Sequence, residues 1–162
     1  MQIESIKLHP EFPEKVWVIV EQPRGEPIRL AYDPESHAFK PTEYKSLIYH
    51  RGFQGCYGWI GGSGIPPQPH FDVLFLTNCE TSPGDVLEGY ICGVFVRRDG
   101  DHKFVALDVD LRHTVSSPDL SAVDKAVYEN LISVYPEVGE GEGWFGAEFA
   151  QEYLRNNRAF HD

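Results

Sequence analysis

The side chains best suited to chemistry crowd one short run, Arg97-Arg98-Asp99-Gly100-Asp101-His102-Lys103. Carboxylates such as Asp99 and Asp101 hold divalent cations, and a Lys or Arg beside them grips phosphate oxygens. The run therefore reads as a metal and phosphate site. It reads equally as the solvated end of a hairpin. Asp-Gly is favoured in tight primed turns for backbone reasons alone, because Gly supplies φ > 0 and Asp tolerates it.

Other candidates lie apart from it. Asp72 opens the apolar run Phe71–Thr77 (FDVLFLT), and a charge beside a buried strand needs partners, either ligands or backbone N–H groups. Glu21 closes the β-branched run Val16–Glu21 (VWVIVE). Arg29 sits within Ile28–Tyr32 (IRLAY), and Arg24 and Lys45 read as surface cations. Tyr57, Trp59 and Tyr135 serve as core or rim aromatics or as ligands. His70 lacks the second clustered His that a metal site would want. The loop Gly61-Gly62-Ser63-Gly64 has the glycines of a phosphate cradle. It lacks the Lys-Ser/Thr that completes one, and no helix pattern follows.

The elements that must carry these residues are mostly strands. Val16–Glu21 and Ile28–Tyr32, joined by Arg24-Gly25-Glu26-Pro27, predict a hairpin. Phe39 to Trp59 is loosely patterned, with Cys56–Ile60 as a short strand. Phe71–Thr77 predicts a buried strand. Val86–Val96 and Phe104–Val109 predict a long ribbon with the charged run at its tip. Ser121–Tyr135 has helical i, i+3/i+4 spacing, with Ser121 and Asp124 resembling a capping box and Pro136 ending it. Trp144–Arg158 predicts a second amphipathic helix. Strands followed by helices suit an α+β protein or a small closed barrel with helices outside.

Composition narrows the function classes. The chain has 162 residues, with 41% hydrophobic and 13% aromatic content, and a formal net charge of −11. That is enough for one folded domain over residues 1–162. The negative charge disfavours nucleic acid and suits a metal ion or a basic protein partner. No run approaches the ~18 apolar residues of a membrane span, and the segment MQIESIKLHPEF has no secretory apolar core. Cys56, Cys79 and Cys92 lack metal-type spacing and fit a reducing cytoplasm.

The order of the pieces resembles soluble inorganic pyrophosphatase of the barrel-type, family I class. VIVEQPRGEPIRLAYDPESHAF, CYGWI, FDVLFL, PGDVLEGYICGV, DGDHKFVALDV, a helix, and GEGW before the last helix follow one another as that family's segments do, from Val16 to Phe160. The resemblance implies a mainly β, α+β fold, with a small closed β-barrel of about five main strands and two packed helices. It implies Mg²⁺-dependent hydrolysis of diphosphate, in which carboxylate-held metal activates water and cations clamp phosphate. Carried over by position, Glu21, Asp72, Asp99 and Asp101 would hold metal. Arg29, Lys103, Tyr57 and Tyr135 would hold phosphate, with Asp72, Lys103 and Tyr57 at the reacting centre. Homo-oligomers are also implied.

The departures are concentrated at the site. Where the family has D-G-D-P-x-D, this chain has Pro67-Gln68-Pro69-His70-Phe71-Asp72. A phosphate-binding Arg is replaced by Glu43, other expected polar positions are Ala31, Tyr90 and Pro136, and Arg51 or His70 could offset one loss. Three readings follow: a pyrophosphatase with a depleted metal site, a hydrolase of another phosphorylated compound, or an inactive acidic module that covers a basic partner. The last needs an exposed aromatic patch, such as Trp59, Phe53 and Tyr49.

Overall fold

A computed structural model of the chain describes residues 2–157. The ends of the last helix at Arg158 and of the resemblance at Phe160 lie outside the described residues. In chain order the elements are β1 (Lys15–Gln22), β2 (Ile28–Asp33), β3 (Ala38–Lys45), α1 (Leu47–His50), β4 (Cys56–Ile60), β5 (Asp72–Leu76), β6 (Val86–Val96), β7 (Lys103–Leu107), α2 (Val109–Arg112), α3 (Lys125–Ile132), β8 (Gly143–Gly146) and α4 (Ala147–Asn156).

Five strands close a mixed barrel in the order β1-β4-β5-β7-β6, with β6 returning to β1. All these pairs are antiparallel except β5–β7, which runs parallel. β6 is the longest strand, and it also carries β8 on its far end. This is the barrel of about five main strands that the sequence leads one to expect.

Period-two alternation sorts the side chains. Val16, Val18 and Val20 of β1, Val73 and Phe75 of β5, Ile91 of β6, and Phe104 and Ala106 of β7 share one cluster, which Ala150 and Leu154 of α4 join. The alternate residues Leu74, Leu76, Val105 and Leu107 form a second cluster with Leu131 of α3 and Val134. Burying such a Leu, Val or Phe contributes about 1.5–3 kcal/mol apiece. Gly58 of β4 lets two backbones approach: a Cβ there would lie 1.9 Å from the Ile19 carbonyl oxygen.

Four expectations need correcting. First, β1 and β2 do not form a hairpin, since β1 pairs with β4 and β6 while β2 pairs with β3. The Gln22 side chain joins β1 to β2 instead. Its Oε1 accepts from Leu30 N at 2.7 Å, and its Nε2 donates to the Glu26 and Ile28 carbonyls at 3.1 and 3.2 Å. Second, the loosely patterned stretch contains β3, an exposed strand holding Pro41, so it has no apolar alternation to reveal it. Third, the first long helix begins at Lys125, with Asp124 as the cap accepting from Ala126 N, while Ser121 lies in a separate 3-10 turn. Fourth, Trp144 belongs to β8, and the last helix starts only at Ala147.

The ribbon β6–β7 is present, but its turn is longer than the two-residue type. Arg97–His102 forms the connection, with Gly100 at φ +84 and its N–H on the Arg97 carbonyl. No helix among the described residues is long and apolar enough to cross a membrane. Cys56, Cys79 and Cys92 are all free thiols, and burial pushes Cys56 up to about 12.

Candidate functional site

A cavity of about 180 Å³ opens at one end of the barrel. It lies where β1 ends in Glu21 and Gln22, where β7 begins at Lys103, and beneath Arg29 of β2. Tyr57, Tyr135, Arg97 and Asp101 complete its polar wall, and Leu30, Leu47 and Ile48 its apolar one.

Parallel pairing sets the chemistry at its base. Asp72 and Lys103 are the first residues of β5 and β7 and are register partners. Both are buried, and Lys103 Nζ donates to Asp72 Oδ2 at 2.7 Å. The same ammonium donates to Tyr57 Oη at 3.1 Å and lies 3.0 Å from Asp101 Oδ2. Two of the three ammonium protons are thus placed on Asp72 and Tyr57, with the Asp101 charge beside them. Burial lowers its pKa, but the Asp72 charge and hydrogen bond outweigh that and leave it raised.

The second Asp72 oxygen, Oδ1, is 2.8 Å from His70 Nε2. His70 Nδ1 faces the Gln68 carbonyl at 2.7 Å. Both ring nitrogens thus face acceptors, so both must carry protons and the ring is an imidazolium. Burial works against that charge, but the Asp72 hydrogen bond, the Gln68 carbonyl and the Asp72 charge raise the His70 pKa overall. Asp72 is correspondingly clamped. Burial pushes its carboxyl up, and His70 and Lys103 together more than reverse this, holding it well below the usual carboxylate range.

The remaining expected residues divide. Glu21 lines the cavity but is buried. Desolvation raises its pKa, opposed by the hydrogen bond from Tyr32 N to Oε2 at 3.1 Å and by the Arg29 charge. Tyr57 is raised well above its ordinary value, first by burial and then by the Asp72 charge. Tyr135 stacks on Phe95 at 4.9 Å and 4° and is raised by burial, with the Lys103 and Arg97 charges opposing. Asp99 points away from the cavity wall. It pairs with Arg97 Nη2 at 3.2 Å and accepts from Asp101 N at 2.9 Å. The tip imidazole also turns outward: His102 Nδ1 accepts from Arg97 N, and its ring meets Tyr153.

Arg97 lies in the charged run but received no role of its own from the sequence. Its guanidinium lies 5.8 Å from the Tyr135 ring centroid. The signal was available, because Arg97 follows Phe95 by two along the strand direction and so continues its face. His70 and Asp72 carry the same i, i+2 signal. The other cations considered are structural: Arg51 donates to the Val134 carbonyl, and Arg24 to those of Gln54 and Asn78. The glycine loop is sewn shut by Ser63, whose Oγ donates to Ile60 O and accepts from Phe71 N. Trp59 and Phe53 are buried, so the expected aromatic patch is reduced to Tyr49.

Mg²⁺ wants near-octahedral oxygen ligands that can turn toward one point. Among the described residues, Glu21 and Asp101 each keep one carboxylate oxygen without a protein partner, whereas Asp72 and Asp99 keep none. Both Asp72 oxygens are paired with cations, Asp101 is turned to Lys103, Asp99 faces Arg97, and Glu21 is tied to β2. Among the described residues, the side chains near enough to share an ion are Cys79, Asp108 and Asp110, outside this cavity. There Asp108 is already a helix cap and a Thr77 partner. The cavity also presents free donors. Among the described residues, the Arg29 guanidinium and the Tyr135 hydroxyl make no hydrogen bond to protein, and Arg97 commits Nη2 alone.

No family model matches the chain. It is 29% identical to an inorganic pyrophosphatase of Sulfolobus acidocaldarius, over 88% of this chain and 89% of that one. It is 27% identical to an inorganic pyrophosphatase of Thermus thermophilus, covering 94% of each. Among solved structures, an inorganic pyrophosphatase from Neisseria gonorrhoeae superposes with a TM-score of 0.76 at 21% identity, covering 99% of both chains. The closed barrel and its packed helices are thus the fold of the inorganic pyrophosphatases. The chain itself is a pyrophosphatase-like protein, divergent in sequence from these relatives.

Proposed function

We propose that this protein is a pyrophosphatase-like diphosphate receptor, holding diphosphate at the barrel mouth and hydrolysing it slowly. One observation carries the reading: cationic and hydroxyl donors without a hydrogen bond to protein among the described residues face the cavity, while both oxygens of Asp72 at its base are taken by cations. Arg29, Arg97 and Tyr135 present free N–H and O–H groups in a chain of net charge −11. Guanidinium groups match phosphate oxygens in a bidentate manner, and such charge-assisted bonds are the strong ones. Lys103 adds a buried positive charge behind them, with Tyr57 fixed on it. The named activity of the relatives supports diphosphate as the ligand. Slow turnover follows from the acids. Asp72 is neutralised by two cations and is a poor base for water, and Asp101 is engaged by Lys103.

Calorimetric titration of diphosphate tests the binding. Each of Arg29→Ala and Arg97→Ala should lose about 1.5–3 kcal/mol, or roughly 10- to 150-fold in affinity. No binding at millimolar diphosphate would sink the reading. Phosphate release, followed with and without Mg²⁺, measures the hydrolytic step directly.

A further inference from the structure

We infer that the cavity takes its phosphate ligand as the metal-free anion, and that Mg²⁺ competes with binding instead of assisting it. This rests on the diphosphate reading above and specifies the ionic form that is recognised. A carboxylate that is to bridge Mg²⁺ to a phosphate must present an unpaired oxygen to the cavity. Asp72 presents none, because Lys103 Nζ occupies Oδ2 at 2.7 Å and His70 Nε2 occupies Oδ1 at 2.8 Å.

Neither clamp is incidental. His70 is pinned from behind by the Gln68 carbonyl, and Lys103 also donates to Tyr57 and forms an ion pair with Asp101 at 3.0 Å. A metal reaching Asp72 would have to break a hydrogen-bonded set whose members are each held by a further partner. Among the described residues, Glu21 commits one oxygen to Tyr32 N and Asp101 one to Lys103, so each keeps a single open oxygen, while Asp99 spends its two on Arg97 and Asp101 N.

The positive charges that metal ions would bring are already supplied by side chains. Lys103, Arg29 and Arg97 line the space, and His70⁺ stands behind Asp72. A magnesium–diphosphate complex carries less negative charge than the free anion, and its metal would face these cations. Electrostatic complementarity therefore selects the bare anion. The residues missing from the Pro67–Asp72 segment fit the same logic. A stretch that offers His70 in place of further acids cancels the Asp72 charge instead of adding to it.

The test is a pair of diphosphate titrations of the wild-type protein, one in chelator and one in excess Mg²⁺. The expected result is binding in chelator and an apparent Kd weakened by about threefold or more in Mg²⁺, as the free anion is sequestered. An equal or tighter Kd in Mg²⁺, with binding intact, overturns the metal-free inference and leaves the diphosphate reading standing. No binding in either buffer overturns the diphosphate reading itself. A second measurement needs no diphosphate. Millimolar Mg²⁺ alone should leave the wild-type melting midpoint within about 1 °C, whereas one bound ion at 100 times its Kd would shift it by several degrees. A shift of that size would also overturn the inference.

Discussion

Removing the charge of Lys103 tests the clamp at the base of the cavity. In Lys103→Met the stem remains to fill space, but Asp72 Oδ2, Tyr57 Oη and Asp101 Oδ2 lose their common partner. Breaking one side of a buried ion pair costs about 3–5 kcal/mol, because the other charge stays buried. Only 6% of the Lys103 side chain and 10% of that of Asp72 are exposed, so solvent screens the pair little. His70 still holds Oδ1, which places the loss at the low end, about 3 kcal/mol. For a domain of this length that is a fall in Tm of roughly 6–12 °C. Asp72→Asn should cost about 2–3 kcal/mol, since Lys103 keeps Asp101. The double variant is the informative one. With neither charge present the β5–β7 pair leaves no buried ion of its own and His70, without Asp72, can give up its proton, so the double variant should be more stable than the sum of the single losses by about 1.5–2.5 kcal/mol. Urea denaturation of the four proteins at pH 6 measures the cycle. A coupling below about 0.5 kcal/mol would refute the claim that the two groups form one buried unit.

Three further outcomes are expected. The Asp72 pKa is depressed in the folded protein, so its contribution is complete above pH ~4 and is lost as pH falls through the depressed value. The His70 pKa is raised, so its contribution is complete below pH ~6.5 and is lost as pH rises through the raised value. Stability should thus peak between about pH 4 and 6.5, and His70→Gln should flatten the alkaline decline and make the acid one shallower, because His70 helps to depress Asp72; a full alkaline decline in that variant contradicts the imidazolium assignment. Glu21→Gln removes a carboxylate that burial disfavours yet keeps an acceptor for Tyr32 N, so at pH 7.5 it should stabilise the fold by up to about 1 kcal/mol, read from the urea midpoint. Gln22→Leu deletes two hydrogen bonds to β2 and one to Glu26 before it, at about 1 kcal/mol each. Amide exchange at Leu30 should accelerate and diphosphate affinity should fall with it, because Arg29 rides on that strand.

Much of the barrel was legible because β-branched runs reveal buried strands whatever their partners. The runs Val16–Glu21, Phe71–Thr77 and Val86–Val96 lie over β1, β5 and β6. Partners are another matter. The β1–β2 hairpin failed because the carbonyl and N–H groups of β1 go to β4 and β6, and a side-chain amide does the joining. β3 stayed hidden because it is exposed and carries Pro41, and β8 because four residues, GWFG, show no period. At the site, Asp101 and Lys103 could be singled out from two-residue spacing. Their meeting with Asp72 came only from the family resemblance and not from spacing, since it depends on a parallel pairing 31 residues apart. Arg97 received no role of its own because two adjacent arginines before a turn look like solubility, and only the Tyr135 ring beneath distinguishes one of them.

The parallel seam between β5 and β7 has a consequence for how the chain finds its fold. Both strands are apolar on both faces, and Val73-Leu74-Phe75 would bury almost as much surface against Val105-Ala106-Leu107 one step out of place. Hydrophobicity alone therefore specifies this alignment weakly. A slip by one residue would set Phe104 beside Asp72, turn Lys103 to the opposite face, and leave a carboxylate without its ammonium. The ion pair thus works as a register pin. It makes every shifted alignment of an otherwise featureless seam expensive, and it acts as an instruction for assembly as much as a part of the cavity.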